Sequence, residues 1–123
     1  MNDWPAAGVY QLWMRVTRDI VLTVGRLGRC PLPAGSYVYV GRASRALRAR
    51  VLRHAFGSKR KHWHIDFVLA HPEARIERIV LASQDPEQEC RISQKVGEHA
   101  SCTIPGFGAS DCANGCDTHF WRI

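Results

Sequence analysis

Tyr37-Val38-Tyr39-Val40-Gly41-Arg42-Ala43 is the stretch that decides how this chain is read. Its β-branched and aromatic residues make a strand, and Gly41 interrupts it. A helix is predicted next, over residues 45–56. Leu47, Arg50, Val51 and His54 recur there at i, i+3, i+4 and i+7 and so share one face. Arg42, Arg45, Arg48, Arg50 and Arg53 crowd the same junction, all expected on or beside the helix. An aromatic hydroxyl, a glycine and a guanidinium thus meet where strand passes to helix, a combination suited to binding phosphate. Arg50 and His54 lie one turn apart on the apolar stripe. The plainer reading of that pair is an arginine stem edging the stripe with its head in water.

Upstream, Tyr10, Leu12, Met14 and Val16 alternate with Gln11 and Arg15, and Ile20, Leu22 and Val24 continue the period. The short polar link Thr17-Arg18-Asp19 predicts a hairpin between these strands. Gly28, Pro31 and Pro33 predict loop from 25 to 34, with a third strand over about 36–41. Downstream, Ser58-Lys59-Arg60-Lys61 is a basic loop. Alone it is usually a solvated turn, and here it is a candidate phosphate clamp. A second helix is expected from His62, ending near His71-Pro72, with Ile65, Val68 and Leu69 inward. His62 and His64 diverge on such a helix and suit packing or capping better than a shared metal, while Asp66 suits an arginine partner.

Residues 75–82 end in an apolar run that predicts a strand buried in a sheet. Asp85-Pro86-Glu87-Gln88 is a helix start: Asp85 as N-cap, Pro86 at the first helical position, Gln88 closing a capping box. The helix should run over 86–96 and stop at Gly97. Glu89, Ile92, Ser93 and Val96 share a face, so Glu89 turns toward the body of the protein. A carboxylate there needs a cation, either Arg50 or a divalent metal. The tail, about 101–123, reads as irregular. The expectation is one α+β domain over residues 1–123. It has a small, mainly antiparallel sheet of three to four strands, about three flanking helices and a Cys-rich tail packed on it.

The bulk numbers agree with that size. A chain of 123 residues supports one modest core, and 46% apolar with 23% charged residues excludes disorder. A net charge of +6 favours a polyanionic partner, nucleic acid above all. No run approaches the roughly 20 apolar residues of a membrane span, and the N-terminus carries no secretory pattern. A cytoplasmic protein without a membrane partner is expected, its oligomeric state left open. Five cysteines, four of them from residue 90 onward, suggest metal or buried thiols before disulfides. Cys112, Cys116 and His119, with Cys90 or Cys102, offer soft ligands for zinc, or else hydrogen bonds that close the tail. Cys30 stands apart.

Gly8-Val9-Tyr10 and Tyr39-Val40-Gly41 resemble the two half-motifs that name the GIY-YIG nucleases. The resemblance is nearer to a small stand-alone branch of that superfamily, a domain of unknown function (DUF123-like). The branch pattern is matched by Pro33 to Gly41, Arg50 with His54, Lys61 to Asp66, Glu89-Cys90, and Gly106 to Cys112. It covers nearly the whole chain. One departure from the wider superfamily is the separation of the half-motifs: 28 residues, Gln11 to Val38, where a hairpin of about ten is usual. The resemblance implies a metal-dependent endonuclease acting on DNA. It implies Glu89 as the ligand of one Mg²⁺ or Mn²⁺, Arg50 on the scissile phosphate, and Tyr10 or Tyr39 orienting or deprotonating the water, with His54 taking the proton onward. The tyrosine would need a lowered pKa, for which Arg50 and the metal are the expected causes. Arg42, Arg45, Arg48, Arg53, Lys59, Arg60 and Lys61 would then face nucleic acid. The alternative reading is a non-catalytic nucleic-acid-binding module of the same fold.

Overall fold

The central strand is β1 (Gly8–Val16), which is paired on both sides. A computed structural model describes residues 4–56, 63–109 and 115–123. In it β1 runs antiparallel to β4 (Gly35–Ala43) from Gly8↔Ala43 to Val16↔Gly35. On its other edge β1 meets β5 (Ala74–Ser83), also antiparallel. The hairpin expected between 8–16 and 20–24 does not form. Strand β2 (Ile20–Val24) pairs instead with β3 (Gly28–Leu32) in a separate two-stranded ribbon. Length is the physical reason: β1 and β4 have nine residues each and match along their whole length, whereas β2 has five. Each matched cross-strand pair adds stability.

The segment expected to be loop therefore contains a strand. Pro31 is tolerated in β3 because a ribbon of two strands has open edges, where a missing N–H breaks no ladder. Leu22, Val24, Cys30 and Leu32 of the ribbon enter the main core.

The expected sheet of three to four strands is also corrected, while the α+β class fits. The main sheet has five strands in the order β5-β1-β4-β7-β6, all antiparallel, because β6 (Ser101–Cys102) and β7 (Phe120–Arg122) of the tail join it. Three residues are too few to show a period, so Phe120 to Arg122 carries no readable signal in sequence. Strand β5 is not buried on both faces. It is an edge strand with Leu81 exposed.

Helices α1 (Leu47–Phe56), α2 (His64–Leu69) and α3 (Glu89–Gly97) complete the fold. Leu47 and Val51 of α1 and Ile65 and Val68 of α2 join Tyr10, Leu12, Tyr37 and Tyr39 in the larger core cluster. Val9, Val38 and Val40, of opposite parity on the same strands, pack against Ile92 and Val96 of α3. The Asp85-Pro86 signal starts a short 3-10 turn, with Asp85 accepting from the Glu87 N–H, while the α-helix itself begins one turn later at Glu89, and Gln88 makes no side-chain cap. Ser93 and Trp121 fasten α3 to the tail, the indole N–H donating to Ser93 and Ser93 to the Thr118 carbonyl, each at 3.0 Å. No helix among the described residues is long and apolar enough to cross a membrane.

Candidate active site

Tyr10 stands opposite Gly41 across the β1–β4 pair. A Cβ at Gly41 would lie 2.5 Å from the Tyr10 hydroxyl oxygen and 2.9 Å from Tyr39 Cε2. The missing side chain is thus the space that two tyrosine rings share, their centroids 6.3 Å apart.

Behind Tyr10 lies His54, buried on α1, with Nε2 2.8 Å from the Tyr10 hydroxyl. Burial is the first cause that pulls the His54 pKa down, to about 4. Asp66 opposes the shift, and Arg53 and Arg50 add to it. The ring is therefore neutral near pH 7, and in the tautomer that carries its proton on Nδ1 its Nε2 accepts a hydrogen bond from the Tyr10 hydroxyl. Its Nδ1 faces Asp66 Oδ1 at 4.0 Å.

Burial also pushes Tyr10 well above the ordinary phenol range. Tyr39 adds to this, and Arg50 opposes it. Tyr39 is raised in the same way, by burial and then by Glu89. Arg50 pulls both tyrosines down as expected, but by itself it is outweighed by desolvation of the phenolate. Both tyrosines are neutral phenols.

Arg50 donates to the Arg42 carbonyl and lays its guanidinium 4.6 Å from the Trp63 ring centroid. That cation–π contact limits the freedom of a long side chain. Glu89, the first residue of α3, is largely buried, with 16% of its side chain exposed. Its cation is not Arg50: Oε1 faces Arg42 Nε at 3.6 Å and Oε2 faces His119 Nδ1 at 3.4 Å. Tyr10, Tyr39, Arg42, Arg50, Trp63 and Glu89, with Gly108 and His119 of the tail, line one cavity of about 140 Å³. Pockets for organic ligands are roughly 300–1,000 Å³. This one is on the scale of a single phosphate group with water, and it is lined by acid, base and hydroxyl.

Four of the five expected catalytic residues therefore meet at the cavity, and His54 reaches it through Tyr10. The basic residues divide. Arg42 belongs to β4 rather than to the helix, and it pairs with Glu89 and, at 3.6 Å, Glu87. Arg45 and Arg48 are exposed. Arg53 forms a forked pair with Asp66, at 3.0 and 3.2 Å, that ties α1 to α2. Lys59, Arg60, Lys61 and Cys112 lie outside the described residues. His64 accepts from the Gly108 N–H at 2.8 Å and so holds the tail loop against α2. Cys90, Cys116 and His119 come together, their ligand atoms within 4.8 Å of one another. Cys102 is exposed on β6, and Cys30 is buried in β3.

Sequence reasoning missed Trp63 as the shelf under Arg50, Arg42 as the partner of Glu89, and His119 as part of the cavity wall. Each depends on a contact between distant segments, and no local pattern reports it.

The family model described as a domain of unknown function, DUF123, matches residues 9–123. The chain belongs to this family. The DUF123 match spans both tyrosine strands, α1, α3 and the tail, and so takes in every residue lining the cavity. No curated protein and no solved structure matches the chain.

Proposed function

We propose that this DUF123 chain is a metal-dependent endonuclease of GIY-YIG type that hydrolyses phosphodiester bonds in DNA. The observation that carries the reading is the hydrogen bond from Tyr10 to a neutral, buried His54, at the wall of a small polar cavity that also holds Arg50 and Glu89. Hydrolysis needs a positioned phosphate, an activated water and charge stabilisation. Arg50, steadied by Trp63, holds the phosphate oxygens. A water beside Tyr10 gives its proton to the phenol oxygen as Tyr10 passes its own to His54 Nε2, so no free phenolate is required. Asp66 faces the imidazolium that results.

Glu89 is the carboxylate among the described lining residues. One carboxylate in a small polar cavity with room for several waters fits a hard cation such as Mg²⁺ or Mn²⁺, which keeps most of its water. When bound, the ion supplies charge stabilisation at the leaving oxygen. The net charge of +6 and exposed Arg45 and Arg48 supply attraction to a polyanion.

The test is cleavage of labelled duplex, nicked, flap, branched and single-stranded DNA with Mg²⁺ or Mn²⁺, comparing wild type with Glu89→Ala and Arg50→Ala. Metal-dependent cutting lost in both variants supports the proposal. Binding without cutting, unchanged by Glu89→Ala, replaces it with a non-catalytic DNA-binding module.

A further inference from the structure

We propose that Cys90, Cys116 and His119 bind one Zn²⁺ that pins the C-terminal tail to α3. The three residues come from the first turn of α3 and from the segment leading into β7, far apart in sequence. Their ligand atoms nevertheless converge within 4.8 Å, with Cys90 Sγ 3.8 Å from His119 Nε2. A tetrahedral zinc with Zn–S of about 2.3 Å and Zn–N of about 2.0 Å sets S and N about 3.5 Å apart. The Cys90–His119 pair is within a few tenths of an ångström of that value, and the Cys116 sulfur closes on the ion by a side-chain movement of about 1 Å or less from within the 4.8 Å cluster.

The orientation of His119 is the second observation. Its Nε2 faces the Cys90 sulfur while its Nδ1 faces Glu89 Oε2 at 3.4 Å. Zinc-binding histidines generally present one nitrogen to the metal and the other to a carboxylate or carbonyl, which fixes the tautomer. Glu89 is thus a positioning residue for this site as well as part of the cavity wall. Two thiolates and a neutral imidazole select a soft or borderline ion over Mg²⁺ and Mn²⁺. Each thiol gives up its proton to solvent on binding, and the two negative sulfurs balance the charge of the ion. The zinc site borders the proposed nuclease metal through Glu89 and His119 but uses its own sulfur and imidazole ligand atoms, and it does not depend on the nuclease reading.

The test uses the whole chain, reduced and stripped of metal, without DNA. Zn²⁺ is added and measured by elemental analysis and by competition with a chromophoric chelator. Co²⁺ replaces it to read the visible bands of thiolate coordination. One ion per chain in wild type and in Cys102→Ser, lost in Cys116→Ser and His119→Gln, is the expected result. Cys116 is only half buried, so Cys116→Ser should keep the wild-type circular dichroism. Glu89→Ala should keep the ion with affinity weakened about 10- to 100-fold. Reduced wild type that takes up no zinc overturns the proposal. So does uptake unchanged by Cys116→Ser, or a Cys90–Cys116 disulfide found by mass spectrometry as the state of the isolated protein. Cleavage plays no part in these readouts, so loss of activity and loss of zinc are separately visible.

Discussion

His54 should make the stability of the protein fall on acidification in a way that one substitution removes. Its pKa drops from 6.5 to about 4 on burial. Between those values the unfolded chain binds a proton that the folded ring refuses, so stability rises with pH across that window. The His54 contribution is complete above the unfolded value and is lost as pH falls toward the folded one. Going from about pH 7.5 to about pH 4.5, the two pKa values give a loss of about 2.5 kcal/mol from this residue alone. The assay is urea unfolding of wild type and His54→Gln at a series of pH values, with stabilities extrapolated linearly. The variant keeps an acceptor near Tyr10 and loses the titration. Other histidines and the carboxylates contribute to both curves and cancel in the difference. Wild type should lose about 2.5 kcal/mol more than the variant across the range. Parallel curves would refute the claim that His54 is held neutral, and with it the role of proton acceptor.

Four further variants have outcomes that follow from the geometry. Gly41→Ala should destabilise the fold by about 1–3 kcal/mol in urea or thermal unfolding, because its Cβ meets the Tyr10 ring at 2.5 Å. Tyr10→Phe should cut kcat of the proposed cleavage by about 100-fold or more with KM little changed, since it removes the hydroxyl that links water to His54. Arg53→Ala should cost about 3 kcal/mol of stability, because it leaves the buried Asp66 carboxylate without its forked partner, whereas Arg48→Ala should leave stability unchanged and weaken DNA binding with a shallower salt dependence.

Periodicity made much of the local structure legible. The strands at 8–16 and near 36–41 and the helix over about 45–56 follow patterns that close neighbours impose. The start signal Asp85-Pro86 did as well, since capping is a contact within a few residues. Pairing was not legible. A strand carries no label for its partner: proximity in sequence favours β2 for β1, yet the longer β4 offers β1 the fuller ladder and β2 pairs with β3. The short β7 escaped for the opposite reason, having too few residues to make a pattern.

The sequence by itself determined that the chain folds with helices and strands around apolar faces, that it is basic, and which hydroxyl, guanidinium, imidazole and carboxylate carry chemical capacity. Those follow from side-chain chemistry and short-range spacing. Only the tertiary structure decided who meets whom. It seated Arg53 on Asp66 rather than toward solvent, gave Glu89 to Arg42 and His119, and brought Cys90 to Cys116. It also set desolvation of the tyrosines against the pull of Arg50, because desolvation is fixed by everything packed around a group, and that is a property of the closed core and not of any stretch of chain.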